Sequence, residues 1–203
     1  FGRRPLIGQT ILVTRPYQQS YPMCRSLTEL GAGCLIQPAI EIVPPQDWSP
    51  VDAALRAMDC YDWLVFSSTN GVCALLDRLC LKHGDLRRLG GIRLAAIGPN
   101  TAEALAKYHL SADILPGAYR AEALAEKLAA DAQGQRFLLV RASRGREILA
   151  EKLSAASGEV DQVVVYQSRD VETPDAAVAE AMAADQIDWV TVTSSSIARS
   201  LIG

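Results

Sequence analysis

Tyr61-Asp-Trp-Leu-Val-Phe-Ser-Ser68 and Ile187-Asp-Trp-Val-Thr-Val-Thr-Ser194 carry one pattern twice: an Asp-Trp pair, an apolar run and a hydroxyl-rich turn, 126 positions apart. Ile11-Leu-Val-Thr-Arg15 and Phe137-Leu-Leu-Val-Arg141, both apolar and both ending on arginine, are again 126 apart. One offset shared by widely separated segments marks an internal duplication, which reveals architecture that local propensity cannot. Between these segments, Leu27-x-x-Leu30-Gly31 followed by Ile36 to Ile40 has a looser echo in Leu153 to Gly158 followed by Val163 to Tyr166. The repeated unit is strand, helix, strand, then a strand entering a Ser-rich turn and a further helix.

Strand-like runs at 10–14, 34–43, 62–67, 92–98, 112–115, 136–141, 159–166 and 188–193 alternate with helical stripes such as Val72, Leu75, Leu76, Leu79 and Cys80. This alternation predicts an α/β fold of doubly wound parallel sheets. Pro38 to Pro44 and Val164 to Asp170 occupy matching repeat positions and read as extended. They are expected to run as a pair of strands linking two lobes. Ala95-Ala-Ile-Gly-Pro-Asn-Thr-Ala102 has no counterpart before the last residue, Gly203, so roughly 50 further residues of the second repeat are expected beyond it.

Composition narrows the class. The chain has 203 residues, 49% hydrophobic and 21% charged, too apolar for a disordered chain, and no run approaches the ~18 apolar residues of a membrane span. With 20 Lys+Arg against 23 Asp+Glu, a net charge of −3 and a pI near 5.4, it lacks the broad basic footprint of a nucleic-acid binder. Its cations are 16 Arg and 4 Lys, which fits either a GC-rich genome or a local bidentate grip on anions. Five cysteines without C-x-x-C spacing and two histidines make no metal cluster and point to a reducing, cytoplasmic setting. Phe1-Gly-Arg-Arg-Pro5 lacks the apolar core of a secretory signal, and without an initial Met the start is expected to be trimmed.

Ligands of parallel α/β sheets bind beyond the carboxyl ends of the strands. Four turns there carry polar residues: Thr14-Arg15-Pro16, Ser67-Ser68-Thr69-Asn70-Gly71, Gly98-Pro99-Asn100-Thr101 and Arg141-Ala-Ser-Arg144-Gly145-Arg146. Taken singly, each cluster merely caps a helix. Four such turns, with Arg15, Arg141 and Arg146 beside them, point to a polyanionic ligand between the lobes. Tyr166 falls on a linking strand, either facing that cleft or buried as a structural residue. No Walker or Gly-x-Gly-x-x-Gly motif, Ser/His/Asp set or carboxylate pair stands out. Asp62 and Asp188 precede strands at the amino end and read as structural, while His83 and His109 fall at helix ends and read as solvent-facing or capping.

Leu12-Val-Thr-Arg-Pro16, Pro38-x-Ile40-x-Ile-x-Pro44, Asp62-x-x-x-Phe-Ser-Ser-x-Asn-Gly-Val72, Ala96-x-Gly-Pro-x-Thr-Ala102, Leu139-x-Arg-Ala142 with Gly145-Arg146, Val164-x-Tyr166 and Asp188-x-x-x-x-Thr-Ser194-Ser-Ser together resemble the uroporphyrinogen-III synthase family over nearly the whole chain. The resemblance implies two flavodoxin-like lobes joined by a two-stranded linker. Lobe one would be 1–38 plus 169–203 and lobe two 44–165, with linker strands 39–43 and 164–168. It further implies a cyclising dehydratase that converts hydroxymethylbilane to uroporphyrinogen III with inversion of ring D, without metal or cofactor. Carried over residue by residue, Tyr166 assists loss of the hydroxyl. Ser67, Ser68, Asn70, Gly98, Thr101, Ser194 and Ser195 hold substrate, and Arg15, Arg141 and Arg146 meet its carboxylates. The family's second Gly-x-x-Thr-Ala turn falls beyond Gly203. The expected protein is a cytoplasmic monomer, free of membrane and nucleic acid, that meets the preceding enzyme of its pathway only transiently. The competing readings are a noncatalytic two-lobe sensor of a small polyanion and a nucleotide-dependent α/β transferase.

Overall fold

The structure, a computed structural model, describes residues 4–145 and 147–202, the side chain of Ser195 excepted. In chain order its elements begin with β1 (Thr10–Val13), α1 (Tyr17–Glu29), β2 (Gly33–Ile36), β3 (Ile40–Val43), α2 (Ser49–Arg56), β4 (Trp63–Phe66), α3 (Thr69–His83), β5 (Arg93–Ala96) and α4 (Pro99–Ala106). They continue with α5 (Ala121–Ala129), β6 (Arg136–Ala142), α6 (Ile148–Ala155), β7 (Glu159–Asp170), α7 (Ala176–Ala183), β8 (Trp189–Thr191) and α8 (Ser195–Ile202). The chain forms two compact units, residues 1–43 with 168–203, and residues 44–167. It passes from one to the other at Val43–Pro44 and at Gln167–Ser168, the latter inside β7.

In the unit 44–167, β7, β6, β4 and β5 lie side by side in that order, and each of the three neighbouring pairs is parallel. Alternation along the strands sends side chains to opposite faces. Leu64, Phe66, Leu138 and Val140 pack with α2, α3 and α4, while Trp63, Val65, Phe137 and Leu139 pack with α5 and α6. The sheet is therefore buried on both faces, which is why its strands read as continuous apolar runs. Helix α3 buries Val72, Leu75, Leu76 and Leu79 completely, carries Lys82 and His83 in its last turn, and stops at Gly84, whose φ of 86° suits glycine.

The other unit holds the sheet β2-β1-β8, also parallel throughout. Its small core is Ile11, Val13 and Ala32, with Met23 and Leu27 of α1 against it. The duplication is visible here in register. Ile11 pairs with Trp189 as Phe137 pairs with Trp63, and Leu12 with Val190 as Leu138 with Leu64. Asp188 Oδ2 accepts the Thr10 N–H at 2.7 Å, and Asp62 Oδ2 accepts the Arg136 N–H at 2.8 Å. In return the backbone N–H groups of Asp188 and Asp62 donate to Thr10 O and Arg136 O, both at 2.9 Å. Both aspartates thus fasten the amino ends of neighbouring strands. The copies differ in surroundings: Trp63 is 5% exposed between two strands, whereas Trp189, on an edge strand, is 61% exposed.

Two predicted strands are changed. The run 34–43 is broken into β2 and β3, because Pro38 has no N–H for a ladder and the chain changes sheets across Gln37–Ala39. The run 112–115 contributes only a parallel bridge between Ile114 and Ala95. The Asp113 carboxylate takes the Leu94 N–H at 2.7 Å, and Pro116 follows at once, so no longer ladder forms.

Candidate active site

From β4 the chain moves to β5 on one side and returns to place β6 on the other, so the strand order reverses between β4 and β6. The crevice beyond the carboxyl ends at such a reversal is where ligands bind in open parallel sheets. The residues following β4 occupy it. Ser67 Oγ donates to Val140 O of β6 at 3.3 Å, tying the two strand ends together. Ser68, in extended conformation, is the N-cap of α3, its Oγ accepting the Gly71 N–H at 3.0 Å. Tyr166 of β7 donates its hydroxyl to the same Ser68 Oγ at 3.1 Å. Its backbone carbonyl accepts the Ser143 N–H at 3.0 Å, which fixes the strand just past β6.

Tyr166 is half-buried, and burial raises its hydroxyl above the ordinary tyrosine value, with hydrogen bonds to Ser68 and Asn70 pulling partly the other way. The phenol therefore stays protonated through the neutral range and is available as a donor. The β5 turn lies alongside. Thr69 Oγ1 donates to Asn100 O at 3.3 Å, joining the first turns of α3 and α4. Gly98 is the N-cap of α4 without a side-chain cap, Pro99 opens the helix, and Thr101 is 4% exposed. Ser67, Ser68, Asn70, Gly98, Thr101 and Tyr166 are thus gathered along one rim of this unit.

Arg141 also lies at this end, but its guanidinium has internal partners. It bonds Glu147, donates to Gln162 Oε1 at 2.6 Å and to Gly145 O at 2.9 Å, and holds the Glu147 carboxyl below its usual range. In this structure it braces the turn after β6. Arg146 lies outside the described residues.

The other unit repeats the cap without the phenol. Ser194 Oγ accepts the Ile197 N–H at 3.2 Å, the equivalent of Ser68 with Gly71. The position 126 before Tyr166 is Ile40, packed with Ala39 and Ile197. Ser195 is the first residue of α8. Thr14 binds Thr191 through both its N–H, at 3.3 Å, and its hydroxyl. Arg15 donates to Gln19 Oε1 at 3.1 Å, and its Nε is buried without a hydrogen-bond partner. Close by, a cavity of about 400 Å³ is lined by Pro16, Tyr17, Gln18, Gln37, Glu41 and Asp175, among others. Sequence reasoning missed this cavity and the Thr69 bridge, because both depend on which turns become neighbours across a sheet.

The fold and rim define a class: a parallel α/β protein with a hydroxyl-lined crevice at the strand-order reversal and a protonated tyrosine in it. A family profile described as "Uroporphyrinogen-III synthase HemD" matches residues 22–203. The chain belongs to the uroporphyrinogen-III synthase family. It is similar to the uroporphyrinogen-III synthase of Synechococcus elongatus, 35% identical over 201 residues that cover 98% of this chain and 75% of the relative. It is likewise similar to that of Chlorobaculum parvum, 30% identical over 195 residues, 95% of this chain and 77% of the relative. In fold it resembles crystal structures of uroporphyrinogen III synthases. A mutant of the Thermus thermophilus enzyme gives a TM-score of 0.67 at 17% identity, over 96% of this chain and 76% of that one. The Helicobacter pylori enzyme gives 0.58 at 18%, over 96% and 77%.

Proposed function

We propose that this chain closes hydroxymethylbilane to uroporphyrinogen III with ring D inverted and one water expelled. The observation that carries the assignment of roles is Tyr166, a phenol kept protonated by burial and held against Ser68 at the strand-order reversal. Its proton passes to the leaving hydroxyl as the electron-rich pyrrole expels water, and the pyrrole α-proton lost on final ring closure restores the phenol. Ring D first bonds through its substituted carbon to give a spiro centre, which fragments and recloses in the inverted sense. The bond changes are driven largely by the substrate, so the protein's task is to hold conformation. Ser67, Asn70, Gly98 and Thr101 contact substrate from the same rim. In the other unit Arg15, Ser194 and Ser195 serve its carboxylates, and in the unit 44–167 Arg146 does so, with Arg141 as a brace.

The finer architecture belongs to the same reading: two flavodoxin-like lobes, 1–38 plus 169–203 and 44–165, with linker strands 39–43 and 164–168. The division at Val43 and Gln167 supports it, as does the adjacency of β3 and β7 in one sheet. A cytoplasmic monomer completes the proposal; no described helix is long and apolar enough to cross a membrane. The relatives' names favour the synthase over a noncatalytic sensor of a polyanion. The test is incubation with hydroxymethylbilane and chromatographic separation of the oxidised isomers. Type III product is expected; only the type I isomer of uncatalysed closure refutes the proposal.

A further inference from the structure

Among the described residues of the unit 44–167, Tyr119 is the one exposed aromatic side chain. It is 63% exposed, yet its backbone is pinned on both sides. Upstream, the Ile114 carbonyl accepts the Ala96 N–H at 3.0 Å, Lys127 Nζ donates to Leu115 O at 3.1 Å, and Pro116 is buried. Downstream, Arg120 is the N-cap of α5. The ring base rests on the turn after β5: a Cβ added at Gly98 would lie 3.3 Å from Tyr119 Cβ and 3.6 Å from its Cγ. One side of the residue is therefore seated on a glycine with no side chain to displace it, and the rest faces solvent. Internal packing does not account for an aromatic ring held in this way.

Its neighbours supply the context. Gly98 begins α4, whose N-terminal end has no side-chain cap and carries the positive end of the helix dipole. From that turn the contacts run through Asn100 and Thr69 to the start of α3, and through Ser68 to Tyr166. Tyr119 thus lies over the turn after β5 and Tyr166 on β7, with β4 and β6 between those two strands. A flat, electron-rich heterocycle bearing short carboxylate arms fits an exposed aromatic face beside a helix N-terminus.

We infer that Tyr119 is a substrate-binding residue whose ring stacks on a pyrrole of the tetrapyrrole remote from the carbon that loses its hydroxyl. This rests on the proposed function. Because the contact lies away from the reacting carbon, it holds ground state and transition state alike and acts on KM rather than kcat. A platform fixed before binding loses little entropy when the ligand arrives.

The experiment uses two readouts on the full chain. In steady-state assays with hydroxymethylbilane, Tyr119→Ala is expected to raise KM about tenfold, equivalent to ~1.4 kcal/mol, with kcat within twofold. Tyr119→Phe keeps the wild-type KM, because the ring and not the hydroxyl makes the contact. In fluorescence titrations with uroporphyrin III, which need no turnover, Kd rises about tenfold for Tyr119→Ala and is unchanged for Tyr119→Phe. Equal Kd values for wild type and Tyr119→Ala overturn the inference, as does a fall in kcat at constant KM. A wild-type protein that binds the porphyrin but makes no type III product overturns the proposed function alone.

Discussion

Replacing Tyr166 by Phe removes a single oxygen and separates catalysis from folding. The lost group donates a hydrogen bond to Ser68 Oγ at 3.1 Å and also bonds Asn70, and the Ser68 oxygen keeps its bond from the Gly71 N–H at 3.0 Å. No buried acceptor is stranded and the ring still fills its space, so the loss is about 0.5–1.5 kcal/mol. For a chain of this length that lowers Tm by about 1–6 °C. Turnover falls further, by at least ~10-fold, because the leaving hydroxyl loses its proton donor. Ser68→Ala reverses the balance. It removes the N-cap of α3 and costs about 1 kcal/mol, while Tyr166 keeps its bond to Asn70, so kcat falls less than in Tyr166→Phe. The assay is isomer-resolved turnover of hydroxymethylbilane beside thermal unfolding of the same preparations. Tyr166→Phe with wild-type kcat and type III product refutes the role; so does a kcat loss that merely tracks Tm across both variants. Because burial raises the phenol above its ordinary value of 10, any loss of activity from its ionisation has its midpoint above pH 10 and not near neutrality.

Two further outcomes follow from the packing. Asp52 binds Arg78 through two hydrogen bonds of 2.7 Å, which hold its carboxyl at about 2 against an ordinary 3.8. A carboxyl depressed on folding contributes stability above its unfolded value and loses it as pH falls through the folded one. The wild type should therefore lose stability between about pH 4 and 2 more steeply than Asp52→Asn, and matching acid-unfolding curves contradict the assignment. Phe66→Ala empties a fully buried site between β4 and the α3 face and should cost about 3–5 kcal/mol, read as a lower urea midpoint.

The duplication was legible because each copy keeps the residues that set register: an aspartate before the strand, a tryptophan entering it and a hydroxyl closing it. Asp62 and Asp188 hold strand ends through the same pair of bonds, and Ser68 and Ser194 cap helices in the same way. Their chemistry is local, so sequence spacing reveals it. Other features depend on neighbours distant in sequence. Arg141 read as a cation for substrate, yet Gln162, from the strand paired beside its own, and Glu147, six residues on, take up its guanidinium. The exposed side chain of Tyr119 over Gly98 left no periodic trace. The break of 34–43 follows from Pro38, where apolar periodicity carried across the proline disguised a change of sheet.

The reciprocal fastening of Asp62 to Arg136 and of Asp188 to Thr10 joins, in each case, a strand of the first copy to a strand of the second. Each compact unit is therefore a hybrid: β1 and β2 with β8 in one, β4 and β5 with β6 and β7 in the other. Neither copy carries a complete unit, so cutting the chain between the copies leaves two fragments that must reassociate to rebuild either one. A half-length ancestor would have reached these pairings only by exchanging strands with a second molecule. The two copies are also unequal at the rim: the position held by Tyr166 in one is Ile40 in the other, so the phenol stands in one unit alone.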